Sequence, residues 1–228
     1  MDSVIVGIVP NDSIETQVDQ TYQALRASIR PLEWQGLFGG ISGGHYACDA
    51  ITGTIAAGIA NAAQVFQIRW ADPTKLFVLL KFYVQAGTTT AFTTLNGADL
   101  ELIVGHGATA NGSGGNIVSL TGQGNKMRAS MAPSCLVTSG EIRVSSTAAL
   151  TIAPGQTLEP AGIGYARAVP FAVNTLGAQI TFFDVLDAPT HPLILMSGDT
   201  LVVRTANVGA TGVWNAAFWW KWAELSVY

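Results

Sequence analysis

From Ala63 onward, apolar residues recur at every second position in short bursts separated by turn-forming residues. Successive side chains of an extended chain point to opposite faces, so each burst predicts a strand with one face turned toward a core. In QVFQIRW, Gln64–Trp70, that face is Phe66, Ile68 and Trp70. KLFVLLKFYV, residues 75–84, is apolar on both faces and predicts a central strand. After the tight-turn dipeptide Asn96-Gly97, ADLELIVG sets Leu100, Leu102 and Val104 inward. GEIRVSS, AQITFFDVL, PLILM and DTLVVRTA continue the series, the last two joined by a short turn at Ser197-Gly198-Asp199.

The final burst, VWNAAFWWKWAEL, holds five aromatic rings between Trp214 and Trp222. Strand geometry gathers Trp214, Ala216, Phe218, Trp220 and Trp222 on one face, whereas a helix would scatter them around its girth. Trp214, Phe218, Trp220 and Trp222 thus predict the aromatic lining of a core. Roughly eight strands, no helical alternation and no repeat of fixed period predict an all-β fold. The expected form is a two-sheet antiparallel sandwich over residues 45–228, most economically a jelly roll.

The first 44 residues differ. NDSIETQVDQTYQALRASIRP carries the 3.6-residue periodicity of an amphipathic helix over about 13–30, with Ile14, Val18, Tyr22, Leu25 and Ile29 on one face. Asp12 and Glu15 suit its start, Arg26 and Arg30 suit the negative end of its dipole, and Pro31 stops it. The glycine-rich PLEWQGLFGGISGGHY then reads as a connector. A helix on such a tether either folds back on its own domain or docks on a neighbour, and its apolar face is the candidate partner-binding surface.

Composition sharpens this picture. The chain is 49% hydrophobic but only 11% charged, against about 25% in ordinary soluble domains. Residues 102–125, 144–158, 168–183 and 205–220 contain no Asp, Glu, Lys or Arg. Charge keeps isolated domains apart, so a surface this neutral predicts extensive cover by other subunits. A net charge of −4 offers no basic patch for nucleic acid. The longest apolar run is far shorter than a membrane-spanning helix and contains Lys81, and no secretory signal is evident at the start. Membrane residence is not expected, although a transmembrane barrel also alternates.

Candidate chemistry is sparse. ELIVGHGATA matches G-x-G-x-x-A after a strand, but the following Asn-Gly-Ser-Gly-Gly cannot open the helix that a dinucleotide pyrophosphate requires. His45, His106 and His191 have no metal-ligand spacing and no neighbouring acid pair along the chain. Cys48 and Cys135 match no metal or redox motif and read as buried free thiols, with a disulfide as the alternative. Asp184 and Asp187 are the close acids on a strand end; they suit turn solvation, weak calcium binding or a glycosidase pair. The loop Gly105–Gly124 reads as a neutral surface loop, with recognition of a glycan or protein as its functional alternative. No catalytic residue, cofactor site or metal site is assigned, and no enzyme activity is expected.

With these residues laid out, the chain resembles small virion structural proteins of tailed bacteriophages. The resemblance rests on RASIRPLEW (26–34), FQIRWADPTKLFVL (66–79), and HPLILMSGDTLVVR with GVWNAAFWWKWAEL (191–225). It includes an L-x-x-G-D-x-L-V-V turn, Leu195 to Val203, of a kind that recurs in trimeric jelly-roll proteins. It implies a jelly-roll head assembled as a homotrimer in the virion, a capsid decoration or cement protein bound to the major capsid protein or other virion proteins through the N-terminal arm. A receptor- or glycan-binding head of a fibre or tail protein is the alternative. It implies neither enzyme activity nor cofactor.

Overall fold

The computed structural model describes residues 44–93, 97–120, 125–127, 131–170, 172–185 and 192–225, and, before residue 44, only the backbone of four short strands. The chain divides into two compact units, 1–37 and 38–228. In the first, β1 (Gly7–Val9) pairs with β2 (Asp12–Ile14), and β3 (Gln17–Asp19) with β4 (Ala24–Arg26), both antiparallel. The helix expected over about 13–30, with the side chains of Ile14, Val18, Tyr22, Leu25 and Ile29, lies largely outside the described residues; the short segments described within that span are extended.

The second unit is nearly all β, in two antiparallel sheets. Its strands in order are β5 (Gly44–Ile51), β6 (Gln64–Trp70), β7 (Leu76–Thr90), β8 (Ala98–His106), β9 (Asn116–Ile117) and β10 (Gly140–Val144). Then come β11 (Thr157–Leu158), β12 (Gly164–Val169), β13 (Thr175–Leu176), β14 (Ile180–Asp184), β15 (Leu193–Leu195), β16 (Thr200–Val208) and β17 (Val213–Leu225). In one sheet β7 lies next to β17 and β17 next to β5, while β13, β14 and β15 share the other edge of β7. The other sheet runs β8, β16, β6, β10, β9, with β11 and β12 on the free edge of β8. Each step from β5 to β8, and again from β15 to β17, crosses from one sheet to the other.

Aromatic side chains join the sheets. Phe66 of β6 lies 5.0 Å, ring centre to ring centre, from both Phe218 and Trp220 of β17, and 5.3 Å from Phe82 of β7. Trp70 and Phe77 make a second crossing at 5.7 Å. Along β17, Trp214, Ala216, Phe218, Trp220 and Trp222 are buried, and Asn215, Ala217, Trp219 and Lys221 are half-buried on the opposite face. β7 is central because it is paired on both edges, which its two-sided apolar sequence requires.

One segment departs from expectation. The glycine-rich connector does not run on through His45 and Tyr46: the chain is already a strand at Gly44, and Tyr46 stacks on Trp222 at 5.3 Å. Small residues at Ala47 and Ala50 blur the alternation that would have announced β5. The described part of the Gly105–Gly124 loop is mostly exposed, as expected, but is anchored at a few points. Ala108 and Leu120 are buried, Ser113 bridges to Thr151, and a Cβ on Gly112 would meet the Gln67 side chain and the Thr151 carbonyl. Residues 121–124 of that loop, like the Asn96 turn position, lie outside the described residues.

Candidate functional site

His106 ends β8, and the fold gives it the acid pair that its sequence neighbours do not. Nδ1 lies 2.8 Å from Asp199 Oδ1 in the β15–β16 turn, and Nε2 lies 2.9 Å from Glu159 Oε1. Ionised carboxylates only accept, so engaging both favours the imidazolium, which donates from both nitrogens. The hydrogen bond to Asp199 and then that to Glu159 raise the His106 pKa above its ordinary value. A Ser-His-Asp triad needs one ring nitrogen on the acid and the other facing the nucleophile. Here Glu159 occupies that second nitrogen. The two nitrogens point apart, and no group of three His, Cys, Asp or Glu residues suited to a metal occurs among the described residues.

Asp184 lies on the strand β14, and Lys81 of β7 holds its carboxylate in a 2.7 Å ion pair. That hydrogen bond raises the Lys81 pKa. Asp187 and His191 lie outside the described residues. His45 sits on β5, its pKa lowered by burial and by the nearby Lys221 charge. Cys48 and Cys135 are free thiols on separate elements, each pushed up to about 12, chiefly by burial. Thiols held protonated in this way are poor nucleophiles and poor metal ligands.

One buried acid escaped sequence analysis. Glu224, near the end of β17, is fully buried. Its Oε1 accepts from Ser134 Oγ at 2.5 Å and from Trp222 Nε1 at 3.2 Å, and the Cys135 backbone N–H lies 3.1 Å from both carboxylate oxygens. The carboxylate thereby pins the short 3₁₀ turn Cys135–Val137 to the sandwich. A polar residue two steps past Trp222 offered no signal of the clamp, because Ser134 and Cys135 lie about ninety positions away.

The outer face of the β7–β17–β5 sheet bears an aromatic ladder. Trp219 and Tyr83 sit opposite one another on paired strands with ring centres 5.1 Å apart, and Lys221 Nζ lies 4.9 Å from the Trp219 ring centre. Neighbouring side chains and a cation already engage these rings, so the ladder is an internal contact as much as an exposed platform.

The remaining surface combines paired charge with exposed apolar side chains. Arg143 pairs with Glu141, Arg204 with Glu101, Lys81 with Asp184, and His106 with two acids. Ile51, Ile117, Ile152, Tyr165, Leu176 and Met196 are each more than half exposed. Neither a protein-family model nor a curated protein matches the chain.

Proposed function

We propose that this chain is a non-enzymatic structural subunit of a tailed-bacteriophage virion, a jelly-roll head that assembles as a trimer and attaches to capsid proteins through its N-terminal arm. The observation that carries the reading is the surface. Bulky apolar side chains stand exposed on it, while several of the few charged ones are neutralised by one another. Obligate subunit contacts are built from such surface, and cyclic symmetry closes them.

The strand order supports the jelly-roll part. With β5, β6, β7, β8, β12, β14, β16 and β17 taken as strands one to eight, one sheet runs one, eight, three, six and the other two, seven, four, five. That is the order of an eight-stranded barrel wound from two Greek keys. The segments that carry the phage resemblance supply β6, β7, β15, β16 and β17, the strands that build both halves of the core.

The test is assembly on the particle. Full-length protein is expected to bind capsids that lack it, and removal of residues 1–35 is expected to abolish binding while leaving a folded sandwich. Binding retained by the truncated chain would remove the arm from this account. The alternative, a glycan- or receptor-binding head, predicts host-cell binding that is lost when residues 107–115 are shortened. The backbone packing of that loop and the engaged faces of Trp219 and Tyr83 favour the structural role.

A further inference from the structure

Five connections from separate parts of the chain meet at one end of the sandwich, their described residues being 52–63, 91–93 with 97, 145–151, 170 with 172–179, and 209–212. None contains an Asp, Glu, Lys or Arg. Hydrogen bonds tie four of these connections together in pairs, and 170–179 is tied to the neighbouring end of β7, where Asn174 N–H donates to Thr88 O. Gly53 N–H donates to Ser145 O at 2.9 Å and Ala56 N–H to Thr147 O at 3.0 Å. Thr93 N–H donates to Thr211 Oγ1 at 2.8 Å, and Gly209 N–H to Gly97 O at 3.0 Å. Leu176 and Val173 are 68% and 49% exposed there. Ala56, Ala57, Ala148 and Ala149 are also exposed, around a shallow depression of about 210 Å³. The opposite end is different in kind: its connections carry Asp72, Lys75, Glu159 and Asp199.

We infer that this uncharged end is the surface that copies of the chain turn toward their common symmetry axis, so that its occupant is a second copy of the same end. In a closed rotational assembly, residues near the axis face their own counterparts. Any charge placed there meets a like charge, at a cost of several kcal/mol. A surface assembled from five sequence-distant connections without one charged side chain meets that requirement throughout. Several of its backbone donors are already bonded within the chain, so covering it strands few polar groups. A lipid surface is the poorer partner, because membrane-binding tips carry lysine and arginine beside bulky apolar residues, and these connections contain no basic residue. The inference rests on the self-assembly proposed above and adds the surface responsible.

The test is sedimentation equilibrium of the full chain and of charge-bearing variants, with circular dichroism melts to verify folding. Ala148→Glu and Leu176→Lys, on different connections, are each expected to weaken self-association by at least about tenfold. Met196→Glu, at the other end, is expected to leave it unchanged. Mixing Ala148→Glu with Ala148→Lys is expected to restore association in part, because a mixed trimer sets two opposite-charge pairs against one like-charge pair. An assembled chain indifferent to both substitutions overturns the choice of surface while leaving assembly intact. A chain that is monomeric throughout overturns both. Co-sedimentation of the parent chain with phosphatidylcholine vesicles, lost in Ala148→Glu, overturns the inference in favour of a lipid partner.

Discussion

Trp220 and Trp222 lie two positions apart on β17, both fully buried, and differ in one hydrogen bond. Trp222 Nε1 donates to Glu224, whereas the indole N–H groups of Trp220 and Trp214 meet no acceptor among the described residues. A buried unsatisfied donor costs about 1–3 kcal/mol, and losing a hydrogen bond to a charged group costs a similar amount. Replacing either tryptophan by phenylalanine removes the same volume, so the packing losses largely cancel between the two variants. Trp220→Phe is therefore expected to be the milder change, with Trp222→Phe less stable by about 2 kcal/mol in urea unfolding. Equal losses would show that the Glu224 contact contributes nothing net.

His106 supplies a second residue-scale expectation. Its folded pKa is raised above 6.5, so the stabilisation from its two carboxylate partners is complete below that value and is lost as pH climbs through the folded pKa. Wild type is expected to exceed His106→Gln in melting temperature at about pH 5.5 and to approach it at about pH 8.5. Asp199→Asn is expected to lower the His106 titration midpoint observed by NMR. A midpoint unmoved by that substitution would break the assignment.

Among the elements, β17 was the most legible in sequence, because from Val213 to Trp222 each inward position carries an aromatic ring or alanine and the period of two is unbroken. β6, β8 and β16 followed for the same reason. β5 was not legible: its inward face is Tyr46, Cys48 and Ala50, its outward face includes Ala47, and a glycine run precedes it. The long-range polar contacts were not legible, since His106 meets Asp199 across 93 positions and Glu224 meets Ser134 across 90. Periodicity reports burial along one element; it carries no information about which distant loop will supply a partner. Glu224 decides how one such element is held. Glu224→Leu would leave Ser134 Oγ, the Cys135 N–H and Trp222 Nε1 without their acceptor and is expected to cost roughly 3–5 kcal/mol. Faster hydrogen exchange is expected at the amides of 134–138, and unchanged exchange there would contradict the clamp.

At the scale of the molecule, burial and charge point the same way. Within the second unit, the aromatic residues of β6, β7 and β17 fill the space between the two sheets. What the fold leaves outside is unusually apolar and sparsely charged, a surface suited to contact with other protein. Such a chain is expected to exist as a closed oligomer rather than as a free monomer. Size-exclusion chromatography with light scattering at micromolar concentration measures this most directly. The account predicts a single species of about three times the 23.8 kDa chain mass, independent of dilution over the accessible range. A well-folded species at the mass of one chain would contradict it.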